Sequence, residues 1–156
     1  MAGLFESEAP EINSLETPEY TPFHVVLDSG AADHVVNSIE TPGYDIVESA
    51  GSRAGACFAA ANGERIANRG QVDLRLRAGN LPIKSTFQVS KISKPLWSVG
   101  KLCDAGYKVE FDKSAAKIIE KSSGKEIGHF PRSHGLYIGK LELRNPAATP
   151  TFPRQA

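Results

Sequence analysis

The feature that most constrains the fold is a succession of short segments in which apolar and polar residues alternate. Val72–Arg77 alternates apolar and charged side chains, and Ile83–Val89 alternates again after a turn at residues 78–80. A period of two places one face of a strand in the core and the other in solvent. Val99–Cys103 instead has the spacing of a short helix, which Gly106 would end. The sequence therefore predicts an all-β fold with one short helix.

A second feature bears on function, because a buried strand runs directly into a polar turn. Val25-Val26-Leu27 is a continuous apolar run typical of a buried strand, and Asp28-Ser29-Gly30 follows it. Ser29 can donate a hydrogen bond to the Asp28 carboxylate, and Gly30 allows a sharp turn and the close approach of another group. Asp-Ser-Gly is also a common turn, so Asp28 by itself has an ordinary interpretation as a turn residue after a strand.

A hairpin is predicted around Asn62-Gly63-Glu64. Asn and Gly both tolerate positive φ, and extendable segments lie on either side at Phe58–Ala61 and Arg65–Ala67. One interpretation is an ordinary surface hairpin. The other is a flap that folds over a bound peptide, and the small residues near the tip favour it, because the backbone of a flap must approach the backbone of its substrate.

The C-terminal half continues as strands and hairpins. Tyr107–Asp112 alternates cleanly, and Lys117–Lys121 and Lys125–Gly128 flank the turn Ser122-Ser123-Gly124. Gly135–Leu141 is the last predicted strand.

In this order the elements resemble the retroviral-type aspartic proteases, the retropepsins. The loop Asp28–His34, which reads Asp-Ser-Gly-Ala-Ala-Asp-His, is similar to copia-type retrotransposon proteases in particular. Leu96-Trp97-Ser98 corresponds to the apolar-apolar-Gly triplet that passes behind the catalytic loop in retropepsins, with Ser98 in place of glycine, as in copia-type sequences. The resemblance spans Phe23 to Leu141, and its final part resembles the junction between protease and integrase in copia polyproteins.

The resemblance implies a fold and a division of the chain. The expected fold is a retropepsin-like closed β-barrel or sheet with one short helix and a C-terminal β-hairpin extension. The protease domain would span residues 23–112 and the extension residues 113–143. Residues 1–22 contain glutamates and prolines without Lys or Arg, which predicts an acidic disordered leader, and residues 144–156 are predicted to be a flexible tail.

The resemblance also implies a mechanism. Retropepsins use two aspartates, and this chain has a single Asp-Ser-Gly, so the second aspartate must come from another copy in a twofold homodimer. Asp28 would be the catalytic acid and base, Ser29 would brace the two loops, and Gly30 would present its backbone to an extended peptide substrate. Val26, Trp97 and Val99 would contribute apolar pockets, although a lone tryptophan such as Trp97 is also typical of a protein core. The residues expected to contact substrate are Ala31, Asp33, Ala61, Asn62, Gly63, Trp97 and Ser98.

The chain departs from the retropepsin pattern at two places. Many retropepsins pair an Asp after the catalytic Ala with an Arg at the start of the helix, and here those positions hold Ala32 and Val99. Because both partners are missing, no buried charge is left alone, but a source of rigidity is lost. The hydroxyl of Ser98 either hydrogen-bonds the loop or crowds it.

Composition and cysteine usage limit the partners. Lys plus Arg and Asp plus Glu are both 18, so there is no net charge to attract nucleic acid or an anionic membrane. No apolar run is long enough to span a membrane, and no signal segment opens the chain. Cys57 and Cys103 are expected to be free, buried thiols. These features predict an intracellular protein, cytoplasmic or in a retroelement particle and not secreted, without cofactor or metal.

Three functions remain open. The first is a homodimeric aspartic endopeptidase that processes its own polyprotein. The second is an inactive retropepsin-like interaction or dimerisation module, and the third is an all-β binding domain unrelated to proteases. The four histidines, His24, His34, His129 and His134, suggest a metal site, and the last two have a spacing found in zinc sites, but no cysteine pair accompanies them. A triad of Ser98, His134 and an aspartate has no supporting Gly-x-Ser-x-Gly motif.

Overall fold

The computed structural model describes residues 17–60 and 62–148. Within these ranges the chain is built mainly from strands, which confirms the all-β prediction. The short helix predicted after Leu96-Trp97-Ser98 is also found. The strands are β1 (Tyr20–Asp28), β2 (Val35–Val36), β3 (Cys57–Ala59), β4 (Arg65–Ala67), β5 (Gln71–Ala78), β6 (Leu81–Val89), β7 (Leu96–Ser98), β8 (Tyr107–Phe111), β9 (Ala115–Glu120), β10 (Glu126–Ser133) and β11 (Leu136–Arg144). The helices are α1 (Ala50–Arg53), α2 (Val99–Asp104) and a 3₁₀ turn, Ser38–Glu40.

Nine of these strands form one sheet in the order β1-β7-β2-β6-β5-β11-β10-β9-β8, and β1 also pairs with β11. The pairings from β1 through β7, β2, β6, β5 and β11 therefore return to β1 in a closed circuit. β3 and β4 form a separate two-stranded hairpin. The strand that ends at Asp28 is thus held on both sides, by β7 in parallel and by β11 antiparallel.

The core lies on the inner faces of these strands, as the alternating sequence predicts. In β5, Val72, Leu74 and Leu76 are buried while Asp73 and Arg75 are exposed. The largest fully buried side chains come from strands distant in sequence and include Phe87, Phe130, Leu74 and Ile118.

Phe130 explains two glycines of the C-terminal hairpin. A Cβ atom at Gly139 would clash with the Phe130 ring, and one at Gly128 would lie 3.0 Å from it. The ring therefore occupies the space that side chains at these positions would need. Packing of an aromatic ring over glycine is a known way to stabilise sheets in which glycine leaves a gap.

The ends of the described chain are more ordered than the sequence predicts. β1 begins at Tyr20, inside the predicted leader, and pairs with Arg144, where the tail was predicted to begin. Glu19 adds to this closure, because its carboxylate lies 3.5 Å from Arg144 Nε and its carbonyl accepts a 2.7 Å hydrogen bond from Asn145 N. The remaining predictions for the leader and the tail concern residues 1–16 and 149–156, outside the described residues.

The predicted extension, residues 113–143, is hydrogen-bonded into the same sheet as the strands before it. β11 pairs with both β1 and β5, and β9 pairs with β8. The division of the chain after Asp112 stays a prediction.

The turn-rich segment 37–55, with Pro42-Gly43, Gly51-Ser52 and Gly55, is predicted to be a loop with one short strand around residues 44–47, and this prediction is wrong in two places. The strand expected around residues 44–47 is a single bridge between Val47 and Gln71, and residues 50–53, expected to be loop, form α1. The reason is a capping box in which the side chains of Ser49 and Ser52 each accept from the other's backbone N–H.

The expectation about the cysteines is half right. Cys57 and Cys103 are both free, but both are exposed rather than buried. Cys57 lies in the two-stranded hairpin, and Cys103 lies on the solvent side of α2, whose buried residue is Leu102. Among residues 17–60 and 62–148, no helix has the length and apolar character that crossing a membrane requires.

Candidate functional site

Asp28 is the last residue of β1, and the turn that follows holds its carboxylate in place. The backbone N–H of Gly30 donates a 2.8 Å hydrogen bond to Asp28 Oδ1, and Ala31 N lies 3.4 Å from the Asp28 carbonyl. A Cβ atom at Gly30 would lie 3.3 Å from the same Oδ1, closer than most real Cβ contacts. A side chain at position 30 would therefore crowd the carboxylate and shift it from this position. The sequence suggested Ser29 as the donor, but Ser29 is exposed on the turn.

The loop is fixed from behind by Ser98, which lies beside Asp28 in the register of β1 and β7. Its side chain is 1% exposed. Ser98 Oγ donates a 2.7 Å hydrogen bond to the Ala31 carbonyl and accepts one of 3.1 Å from Lys101 N, so that it also caps α2. Of the two alternatives for this residue, the hydrogen bond to the loop is confirmed.

His34 completes the support of the loop. Its Nδ1 accepts a 2.9 Å hydrogen bond from Ser98 N, which requires a neutral ring with its proton on Nε2. Burial lowers the pKa of His34 below the usual 6.5; Asp33 opposes this shift and Lys101 adds to it. The ring packs against Phe87 with 5.5 Å between centroids. From the sequence, His34 stood out only as a possible metal ligand. Its structural role could not be predicted, because the backbone N–H that it binds belongs to a residue 64 positions away.

Asp33 points toward α2. Its Oδ1 accepts a 2.9 Å hydrogen bond from His34 N, and its Oδ2 lies 3.9 Å from Lys101 Nζ. A loop-to-helix ion pair therefore exists although the retropepsin positions hold Ala32 and Val99. Both side chains are partly exposed, so this pair contributes little to stability. Asp33 is not among the residues that line the cleft described next.

An open cleft of about 1210 Å³ lies in front of Asp28. The β3–β4 hairpin lines the cleft together with the Asp28 loop, as expected of a flap. The predicted residues that the cleft brings together are Val26, Asp28, Ser29, Gly30, Ala31 and Asn62.

Besides Asp33, four residues expected to contact substrate or form its pockets do not line this cleft: Gly63, Trp97, Ser98 and Val99. Trp97 is 3% exposed and lines a second cavity of about 360 Å³, where its Nε1 donates to Ser85 Oγ at 3.2 Å. Ser98 is buried behind the loop, and Val99 packs against the core. The alternative interpretation of Trp97 as a core residue is confirmed. Ala61 lies outside the described residues.

The hairpin has a defined tip and an anchored base. Ala60 N donates to Glu64 O at 2.8 Å, Gly63 N donates to Ala60 O at 2.9 Å, and Gly63 adopts φ +86°. At the base, Asn68 Nδ2 donates to Gln88 Oε1 at 2.9 Å, and Asn68 Oδ1 accepts from Gly70 N at 2.9 Å. The tip residues 62–64 are exposed, so the hairpin is fixed at its base and faces solvent at its tip.

Part of the cleft wall consists of residues that could not be predicted from the sequence. The segment Lys91–Lys94 lines the cleft, as do Phe111, Leu136 and Tyr137 from the C-terminal region. No local pattern identifies these residues, because their position depends on the pairing and packing of strands that are distant in sequence.

The alternative chemistries receive no support from the geometry. The described residues contain no group of three His, Cys, Asp or Glu side chains able to hold a metal ion. Ser98 commits its hydroxyl proton to Ala31 O. His134 lies at an exposed hairpin tip with its Nδ1 3.1 Å from Ser133 Oγ.

Comparison with family models, curated proteins and solved structures finds no significant match to this chain. The cleft therefore has to be interpreted from its own residues.

Proposed function

We propose that this chain is an aspartic endopeptidase that hydrolyses peptide bonds through two Asp28 carboxylates, one from each subunit of a homodimer. The observation that supports it best is the position of Asp28. Its carboxylate is held by Gly30 N–H at the floor of a peptide-sized cleft that a hairpin also lines. The resemblance to copia-type proteases is independent support, because it was found from the order of motifs alone.

The chemistry needs two carboxyl groups that share one proton. When two carboxylates lie about 3 Å apart, both cannot be ionised, so one acts as a base toward a bound water while the other donates its proton to the substrate carbonyl. A single chain supplies one such group, and the second copy supplies the other. Catalysis would therefore depend on protein concentration.

The surrounding residues would keep the carboxylate aligned. Gly30 N–H fixes one oxygen, and Ser98 Oγ holds the loop through the Ala31 carbonyl. His34 in turn holds the backbone of Ser98. Precise placement of this kind matters, because small displacements of a catalytic group cost large factors in rate.

The substrate would be an extended peptide. Backbone groups of the β3–β4 hairpin can add strand-like hydrogen bonds to it. Apolar lining from Val26, Phe58, Ile66 and Leu96 favours apolar side chains beside the scissile bond. We further propose that the physiological substrate is a retroelement polyprotein and that the enzyme is intracellular, which the two free thiols support.

The test is cleavage of a peptide library at about pH 5, the acid range in which such a dyad holds one proton. The assay is run over a dilution series, with and without pepstatin, on the wild type, Asp28→Asn and Asp33→Asn. We expect pepstatin-sensitive cleavage that falls faster than linearly on dilution, is absent in Asp28→Asn and persists in Asp33→Asn. Cleavage by Asp28→Asn would overturn the mechanism. No cleavage by a folded dimer would favour the interaction module.

A further inference from the structure

Three apolar residues of the C-terminal region form an exposed cluster, which we call the aromatic cluster: Phe111, Leu136 and Tyr137. Phe111 and Leu136 are 42% and 39% exposed, although both are large apolar residues. The Phe111 and Tyr137 rings meet edge to face with 4.9 Å between centroids. The Tyr137 hydroxyl donates a 2.7 Å hydrogen bond to the Asp112 carbonyl, which fixes the second ring.

The aromatic cluster lies next to the candidate catalytic residue. In the antiparallel register of β1 and β11, Val26 is opposite Ile138. Asp28 ends β1 two residues after Val26, and Leu136 begins β11 two residues before Ile138, so both lie at the same end of this strand pair. All three residues of the aromatic cluster line the same cleft as Asp28.

We propose that a second copy of this chain covers the aromatic cluster, so that the β10–β11 hairpin builds part of the dimer interface. The inference rests on the proposed function, which brings two Asp28 carboxylates to about 3 Å from each other. Leu136 lines the same cleft at the same end of the β1–β11 pair, on the side from which the partner would bring its own Asp28. The twofold axis passes between the carboxylates and therefore beside the aromatic cluster of each copy.

The chemistry of the aromatic cluster suits a position near a twofold axis. In such an interface a residue near the axis faces its own copy. Like charges that face each other repel, whereas apolar side chains gain by burying each other's surface. Leu136 and Phe111 are neutral and exposed, as this position requires.

The neighbouring edge of the sheet is less suited to such a contact. β8 ends the order of the nine strands, and Lys108 and Glu110 are exposed on it with 3.1 Å between Nζ and Oε2. Exposed charges on an edge strand discourage pairing with another chain. Of these two surfaces, the aromatic cluster is therefore the one that we expect the partner to cover.

The experiment measures self-association by sedimentation equilibrium for the wild type, Leu136→Glu, Phe111→Ser and the control Ile39→Glu. Ile39 is 78% exposed on the 3₁₀ turn and does not line the cleft. We expect the wild type and Ile39→Glu to dimerise alike. Leu136→Glu should raise the dimer dissociation constant by about 100-fold or more, because two carboxylates would meet near the axis. Phe111→Ser, which adds no charge, should weaken the dimer in the same direction.

Each other outcome would contradict the proposal. A wild type that stays monomeric at every concentration would overturn it, as would Leu136→Glu and Phe111→Ser dimers as tight as wild type. If those dimers are intact but peptide preference changes, the aromatic cluster is a substrate subsite instead. Asp28→Asn separates this inference from the proposed function, because it should abolish cleavage and leave the dimer unchanged. Circular dichroism of each variant shows that a lost dimer is not lost folding.

Discussion

The Ser98 hydroxyl donates a 2.7 Å hydrogen bond to the carbonyl oxygen of Ala31 and accepts a second bond from the first turn of α2. One side chain therefore joins the loop that carries Asp28 to the helix behind it. The resemblance to retropepsins proposed from the sequence would place a glycine at this position. Here the hydroxyl supplies contacts that a glycine lacks.

Ser98→Ala and Ser98→Gly should both destabilise the protein. Each removes a helix cap and a buried hydrogen bond, which together cost about 1–3 kcal/mol of unfolding free energy. Glycine is a better N-cap than alanine, but it also raises the entropy of the unfolded chain, so we expect the two variants to be destabilised to a similar extent. Urea unfolding measures the loss of unfolding free energy in both variants. Ser93→Ala, which changes an exposed serine, is the control. Equal stability of Ser98→Ala and wild type would show that the loop does not need the hydroxyl.

His34 should make the protein less stable in acid. Its pKa in the folded state is below the usual 6.5, because burial disfavours the charged ring. The neutral ring therefore contributes its full stability at pH above the unfolded-state pKa. That contribution is lost as the pH falls through the folded-state pKa, since protonated Nδ1 can no longer accept from Ser98 N.

The variant that tests this is His34→Asn, which offers a side-chain carbonyl as acceptor and does not titrate. Melting temperatures of wild type and His34→Asn should converge as the pH is lowered from about 7 to about 4, across the usual range of histidine. The control His129→Asn changes an exposed histidine and should follow the wild type. A constant difference between wild type and His34→Asn at all pH values would rule out this titration.

Gly139→Ala should destabilise the C-terminal hairpin, because its Cβ would clash with the Phe130 ring. Overpacking of a core costs about 1–3 kcal/mol. Gly100→Ala is the matched control, since its Cβ would lie 3.8 Å from Ser98 Oγ in ordinary contact and alanine is a better helix former. Thermal unfolding should show opposite signs for the two variants, and a neutral Gly139→Ala would mean that the ring can move aside.

Gly30→Ala should affect activity more than stability. The added methyl group would lie 3.3 Å from Asp28 Oδ1 and displace the carboxylate on an exposed turn. If Asp28 is catalytic, kcat/KM should fall by about 100-fold, the size of effect that small misplacements produce. The melting temperature should change little. Peptide cleavage and thermal unfolding of the same preparation measure both, and unchanged cleavage would contradict the role given to Asp28.

Local patterns in the sequence were sufficient to predict much of the fold. The alternation of Val72–Arg77, the Asn62-Gly63 turn and the helix ended by Gly106 each depend on residues close in sequence, and each is found in the structure. The Asp28 loop could be recognised for the same reason. α1 was missed because the reciprocal bonds of Ser49 and Ser52 decide it, and serines are common in loops.

Distant pairings could not be predicted in this way. The first strand extends to Tyr20 because Arg144 pairs with it, and no residue near Tyr20 indicates this distant partner. Leu136 belongs to the strand that pairs with β1, and Phe111 contacts Tyr137 of that strand, so the sequence shows both only as members of strands. The sequence around Trp97 fits either a substrate pocket or the core. Its burial and its hydrogen bond to Ser85 show that it belongs to the core.

The pairing of β1 with β11 also has a consequence for the order in which the protein is made. β1 leaves the ribosome first, but its antiparallel partner is synthesised more than a hundred residues later. Until that partner emerges, one edge of the strand that carries Asp28 has no neighbour. Contacts between such distant residues make folding slow. The carboxylate should therefore reach its final position only after translation has passed β11, which delays any reaction at Asp28 until that strand is complete.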